Sequence, residues 1–227
     1  MKVAVITGAT SGIGLAAAKL FIEKGYKVYG VARKSYEGEF YCYSADVTDY
    51  GAMQSVFADI FAREGKIDVL VNNAGFGVAG ATEDLSPEKV RSEIDVNLTA
   101  TAVLCGMIIP YMKGRGGKII NVSSVGGIVP LPYQAVYSAS KAGVETFSRA
   151  LANEVKNYKI RVTAVLPGDT KTGFTEARVT QGENERALKS VKKMARDEQH
   201  GAPPEKVAKI IYKCASKKRP PLRVSVG

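Results

Sequence analysis

The sequence predicts a three-layer, doubly wound α/β fold, with a central parallel sheet of about seven strands and helices on both faces. Three observations predict it. Short apolar segments alternate with helix-patterned ones along the chain. The short segments are apolar throughout rather than at every second residue, which suits strands buried on both faces. Glycines close two of the helical stretches and a proline opens the last, the usual punctuation of helices. With 227 residues the chain is long enough for one large domain of this kind and short for two, so 1–227 reads as a single domain.

The elements follow in order. Segment 3–7 is short and apolar, and the opening M-K-V-A-V-I-T-G reads as a buried strand rather than a secretory signal. Segment 12–24 has helical periodicity and stops at Gly25. Segments 27–32 and 40–43 are the second and third strands, and 50–64 is a helix ending at Gly65. Segments 67–71, 118–122 and 160–166 repeat the apolar strand character, while 87–110 and 137–156 are helical in pattern. A last helix, 204–216, starts at Pro204 and a last strand covers 222–226. Segment 169–201 breaks the alternation. It is polar, rich in Lys and Glu, follows Pro167-Gly168, and reads as an inserted helical flap over a substrate site.

The chain carries 32 Lys and Arg against 22 Asp and Glu, a net charge of +10. Much of the excess lies late, around Lys189–Arg196 and Lys213–Arg223, without a nucleic-acid motif or interleaved aromatics, so no nucleic-acid partner is expected. No apolar run approaches the ~18 residues of a membrane span. Cys42, Cys105 and Cys214 are odd in number and widely spaced, which suits core residues in a reducing compartment and no metal site. These features lead us to expect a cytoplasmic protein.

The first strand runs directly into T-G-A-T-S-G-I-G, Thr7–Gly14, which opens the first helix. Gly8, Gly12 and Gly14 permit a tight turn, close approach of backbone to a pyrophosphate and close helix–strand packing. The helix N-terminus adds N–H groups and partial positive charge. In this strand–turn–helix setting the motif reads as a dinucleotide fingerprint, hence a Rossmann fold. Cofactor choice should be written after the second strand, where an acidic residue would bind a ribose 2′-OH. There Ala32 is followed by Arg33 and Lys34, which favours a 2′-phosphate, so NADP(H) is expected over NAD(H). Asp46, in A-D-V-T with Val47, is placed to bond an adenine edge or to cap the next helix, a task open also to Asp49.

Tyr137 and Lys141 lie four residues apart in Y-S-A-S-K, on one face if the segment is helical. A cation beside a phenol favours the phenolate and lowers its pKa, as a general acid/base near neutrality requires. The spacing alone also fits an interfacial tyrosine and a solvated lysine.

Taken together the motifs resemble the short-chain dehydrogenase/reductase family along nearly the whole chain: T-G-x-x-x-G-I-G, N-N-A-G at Asn72–Gly75, D-V-N at Asn97, N-V-S-S at Ser124, Y-S-A-S-K, and P-G-x-x-x-T at Pro167–Thr172. The late prolines also look like the branch of 17β-hydroxysteroid and retinol-type dehydrogenases, whose chains usually continue past the last strand. That implies either an open substrate site or further chain after Gly227. The resemblance implies an oxidoreductase interconverting a carbonyl and a secondary alcohol. In it Tyr137 is the acid/base, Lys141 tunes it and holds the nicotinamide ribose, Ser124 bonds the substrate oxygen, and Asn97 holds a water of a proton relay. Cofactor contacts are implied for Gly8, Thr10, Ser11, Gly12, Ile13, Gly14, Asn73, Ala74, Gly75, Pro167, Gly168, Thr170 and Thr172. Asp169 is an unusual neighbour for phosphates. Homodimers or homotetramers through helices 99–112 and 137–156 are the family's habit.

The flap and adjoining loops offer Phe76, Val129, Leu131, Tyr133, Phe174 and Met194 to an apolar pocket, though most fit a core or interface equally well. A small lipophilic substrate is expected: a steroid, a retinoid-like molecule, an aliphatic ketone or a ketoacyl thioester. A rival expectation is a non-catalytic NADP(H)-binding sensor or scaffold. Retention of Ser124, Tyr137 and Lys141 together favours the enzyme.

Overall fold

A computed structural model describes all residues, Met1–Gly227. In chain order it contains β1 (Lys2–Thr7), α1 (Gly12–Glu23), β2 (Tyr26–Ala32), β3 (Tyr41–Ser44), α2 (Tyr50–Glu64), β4 (Val69–Asn72), β5 (Val78–Ala79), α3 (Pro87–Ile94) and α4 (Ala100–Met112). Then follow β6 (Gly117–Val122), α5 (Ala135–Glu154), β7 (Ile160–Pro167), α6 (Phe174–Ala177), β8 (Val179–Thr180), α7 (Glu185–Gln199), α8 (Pro204–Ser216) and β9 (Arg223–Val226). Seven strands form one parallel sheet in the order β3-β2-β1-β4-β6-β7-β9.

The apolar strand runs have a direct cause. Along β1, Val3 and Val5 enter one core cluster with Phe57, Leu104 and Ile108, while Ala4 and Ile6 enter a second with Phe21 and Ile211. Each face of the sheet is therefore covered by helices, and polar strand residues buried there are hydrogen-bonded, as Asn72 of β4 donates to Asn121 of β6 (2.9 Å). The chain winds outward in opposite directions from β1 and β4, so a crevice opens at their carboxyl ends.

Local chemistry fixes the helix ends. Asp49 accepts the N–H of Ala52 (3.0 Å) to start α2, and Gly65 closes it in the left-handed conformation. Ser86 and Pro87 start α3, and Asn184 accepts two N–H groups at the head of α7. Asp49 therefore takes the capping role, and Asp46 instead accepts the N–H and hydroxyl of Thr48 (2.9 and 2.7 Å).

The 87–110 stretch is helical with one interruption, a π-helical turn, Asp95–Thr99, that carries Asn97. Counted through that turn, Pro87–Met112 is one 26-residue stretch that by length and composition alone could cross a membrane. The inner face of its second half, Leu104, Cys105, Ile108 and Met112, is committed to the core. The flap is not purely helical: β8 within it pairs with β5 in a separate two-stranded sheet. Two-residue strands carry no readable periodicity. Finally, β3 starts one residue late, at Tyr41, with the Phe40 ring before it packed over Gly30.

Candidate active site

The crevice is built first from backbone. At the end of β1, Thr7 Oγ1 accepts the N–H groups of Asn73 (2.9 Å) and Ala74 (3.0 Å). The Asn73 side-chain amide donates back to the Thr7 carbonyl (2.9 Å), clipping β1 to the segment after β4. The turn into α1 admits no extra atom at Gly14, where a Cβ would lie 2.1 Å from the Gly8 carbonyl oxygen. No side chain caps α1 and no acidic residue occupies its first turn. Uncommitted N–H groups at a helix end suit a pyrophosphate, so these residues fit a nicotinamide dinucleotide.

The polar side chains come from three elements. Ser124 follows β6, and its hydroxyl accepts the N–H of Gly126 (3.0 Å). Tyr137 and Lys141 lie in the first turns of α5, both buried. The loop after β6 comes close enough to α5 that a Cβ on Gly127 would lie 2.8 Å from the Lys141 carbonyl carbon, so glycine is required there. The Lys141 ammonium donates to the Val122 carbonyl (3.0 Å) and sits 5.8 Å from the Tyr137 ring centre.

The electrostatics correct the simple pair argument. Burial pushes the Tyr137 phenol up to about 12, a hydrogen bond with Ser124 opposes this, and the charge of Glu198 adds to it. Burial likewise brings Lys141 down to about 8, with Glu93 opposing. In this structure desolvation outweighs any cationic help that Lys141 gives the phenol. Glu93, on α3, was not anticipated. It is fully buried, its Oε1 accepts the Val78 N–H (3.0 Å), its Oε2 has no partner, and burial pushes it up to about 7.

Asn97 acts as a brace. Its Oδ1 accepts the Phe76 N–H (3.1 Å), while its Nδ2 donates to the Phe76 carbonyl (2.9 Å) and Ser140 (3.1 Å). Its side-chain amide thus ties the segment after β4 to α5.

A cleft of ≈ 440 Å³ joins these parts. It runs from Gly8, Ser11, Gly12 and Ile13 past Asn73–Gly75 to Ser124, Tyr137 and Lys141, and is closed by Pro167–Gly168, Thr170, Thr172 and Phe174. Val129 and Leu131 line it, whereas Tyr133, Phe76 and Met194 do not. Tyr133 adopts φ 63° and gives its carbonyl to the Gly80 N–H, and the Met194 sulfur accepts from Gln134 (2.8 Å). Thr10, Arg33, Lys34, Asp46 and Val47 also lie outside the lining. Arg33 and Lys34 are exposed just past β2, and the Val47 side chain is in the core. Burial disfavours the Asp46 carboxylate, but the Thr48 hydrogen bonds and Arg33 outweigh it and hold its pKa below the ordinary value.

Sequence reasoning missed Gln134, Ala177 and Glu198 in the cleft wall. Glu198 bonds Arg178 and accepts the Thr175 hydroxyl (2.5 Å). Arg178 stacks on Phe174 (5.7 Å), which lies against Tyr137 (5.6 Å). The signal for this latch is a tertiary pairing across 20 residues, invisible to spacing rules.

Comparison with known proteins gives the same class. The profile of the family described as "short chain dehydrogenase" matches residues 2–183, and the chain belongs to that family. It is 41% identical over 236 aligned positions to 3-ketodihydrosphingosine reductase of Bacteroides thetaiotaomicron, covering all of this chain and 88% of that one. A solved short-chain dehydrogenase from Streptomyces avermitilis superposes with a TM-score of 0.90 at 34% identity, over all of this chain and 88% of that one. The 3-ketoacyl-(acyl-carrier-protein) reductase of Brucella melitensis, solved with NADH, gives a TM-score of 0.86 at 28% identity, over 99% of this chain and 96% of that one. The chain is therefore an oxidoreductase of carbonyl or alcohol substrates that uses a nicotinamide cofactor.

Proposed function

We propose that this chain is an NADP(H)-dependent reductase of a lipophilic ketone, with Ser124, Tyr137 and Lys141 as its polar centre. The observation that carries the reading is convergence: these three side chains and the glycine turn share one cleft. Ser124 bonds the carbonyl oxygen, and Tyr137 gives that oxygen its proton as negative charge develops. A phenol held above its ordinary pKa is a ready donor only while the oxygen it faces is becoming an alkoxide, which suits reduction. Lys141 holds cofactor hydroxyls and stabilises the phenolate left behind. The bound cofactor supplies the hydride, and the protein supplies the orientation.

NADP(H) is favoured because no carboxylate stands at Ala32 while Arg33 and Lys34 are exposed beside it. A lipophilic substrate is favoured by Val129, Leu131 and Phe174 in the lining, and by the name of the Bacteroides relative, a 3-ketodihydrosphingosine reductase. A ketone panel assayed with NADPH and NADH tests this. Reduction with NADPH preferred is expected, as is a shift toward NADH in Arg33→Asp. Tight NADPH binding without turnover of any ketone would favour a sensor.

A further inference from the structure

The net charge of +10 is not spread evenly over the molecule. In a parallel sheet the helix-to-strand connections all lie at the amino edge, opposite the crevice, and cations gather there. Lys2 opens β1, and Lys113, Arg115 and Lys118 lead into β6. Lys156, Lys159 and Arg161 lead into β7, and Lys217–Arg219 lead into β9. None of these ten belongs to an ion pair. Carboxylates are scarce in the same connections: Asp68 already has Lys66 (3.9 Å), and Glu154 ends α5.

Contacts between the connections make them one surface. The Lys118 ammonium donates to the Lys218 carbonyl (3.1 Å), and Arg161 donates to the Lys156 carbonyl (3.4 Å). A Cβ on Gly116 would lie 2.8 Å from the Lys159 carbonyl oxygen. β1, β4, β6, β7 and β9 are successive neighbours in the sheet, so at ~4.8 Å per strand the cations span about 20 Å. Screening at physiological salt acts over about 8 Å, so neighbouring charges here reinforce one another.

Lysines often follow helices because the negative end of the helix dipole attracts them. That covers Lys113 and Lys217, which directly follow α4 and α8. It does not cover Lys2, Lys118 and Arg161, which stand on strands. Burial, then the charges of Arg161 and Lys2, hold the Lys118 ammonium below its ordinary pKa. Such crowding weakens the fold that carries it, so its use lies in an anion outside the chain. Two large apolar side chains stand in the same field. Tyr158 is 42% exposed with the Lys113 ammonium 4.5 Å from its ring centre, and Leu222, just before β9, is 51% exposed. A tyrosine and an aliphatic side chain among lysines suit the boundary between headgroups and acyl chains. A nucleic-acid face would turn a helix or several aromatic rings toward bases, whereas here α4, α5 and α8 only end.

We propose that this amino edge of the sheet is a docking surface for an anionic lipid bilayer, its cations meeting the headgroups and Tyr158 and Leu222 entering the interface. The cleft, at the carboxyl edge, then faces away from the bilayer and stays open to soluble cofactor. The docking surface does not depend on the reductase reading above.

The test is co-sedimentation of the full chain with vesicles of phosphatidylcholine alone and with vesicles containing phosphatidylglycerol as well. Wild type is expected to bind the anionic vesicles about tenfold or more tightly than the neutral ones at ~0.1 M salt, and to be released near ~1 M. Replacing Lys156, Lys159, Lys217 and Lys218 together by Glu should weaken that binding by about a hundredfold or more. Thermal unfolding shows whether this variant is folded; if it is not, Lys217→Glu with Lys218→Glu carries the same test, with a loss of about tenfold or more. Leu222→Ser should weaken binding about threefold to tenfold and leave its salt dependence unchanged. Lys189→Glu with Lys192→Glu, on the flap, should keep binding within about threefold of wild type. Equal binding to both kinds of vesicle, or binding to neither, would overturn the proposal. An equal loss in the flap variant would also overturn it, since net charge alone would then be acting. Tighter binding to single-stranded RNA than to anionic vesicles at the same salt would overturn it too, by giving the face to nucleic acid.

Discussion

The two ends of the cleft are built differently. At the cofactor end the walls are backbone, the glycine turn and the uncapped head of α1, held by the short Thr7–Asn73 side-chain clip that ties β1 to the segment after β4. At the substrate end the walls are side chains brought by the flap and the head of α5: Arg178, Glu198, Phe174 and Gln134. Backbone walls cannot be re-aimed without moving strands of the central sheet. Side-chain walls can change residue by residue while the sheet stays, which is how one scaffold serves many substrates.

Substitutions at each end should break this contrast unequally. The largest effect is expected from Gly14→Val, whose Cβ alone would lie 2.1 Å from the Gly8 oxygen. NADPH affinity should fall by about a hundredfold or more and stability by about 1–3 kcal/mol, as for overpacking. Titration of cofactor fluorescence and thermal unfolding would check both. Near-normal affinity would mean that the turn does not hold the phosphates. Arg178→Met should come next. It leaves Glu198 without its cation, so KM for the ketone should rise about tenfold with NADPH affinity changed less than twofold. Steady-state kinetics and a binding titration separate the two, and a parallel loss of cofactor affinity would show that the ends are coupled.

The smallest effect concerns Glu93. Its pKa is raised on folding from the ordinary carboxyl value to about 7, so between those pH values the folded state holds more protons than the unfolded one. Stability contributed by neutral Glu93 is therefore full at low pH and is lost as pH rises through about 7. Glu93→Gln should be more stable than wild type at pH 8 by about 1–3 kcal/mol, the difference closing toward pH 4. Denaturant unfolding at both pH values would show it, and a constant difference would mean that Glu93 is not titrating.

The same contrast explains what the sequence disclosed. The strands were readable because burial on both faces makes them mostly apolar, and the glycine turn because strand, turn and helix are contiguous in the chain. Tyr137 and Lys141 were readable as a pair four apart, yet their electrostatics were not. Spacing shows that a lysine is near a phenol, but not that both are buried deeply enough for desolvation to dominate. Arg178 with Glu198, and Gln134 with Met194, join residues 20 and 60 positions apart, so only the folded chain reveals them. Asp169 lay between these cases: out of place in the motif, and given a setting only when the flap put Glu198 and Asp197 beside it.

The central claim is that Tyr137 moves the proton while other groups hold the cofactor. The most direct measurement is ketone reduction by Tyr137→Phe alongside its NADPH binding. The account predicts a fall in kcat of about a hundredfold to ten-thousandfold, typical of losing a general acid, with NADPH affinity within about twofold of wild type. Retained turnover would contradict the claim, and so would turnover lost together with NADPH affinity.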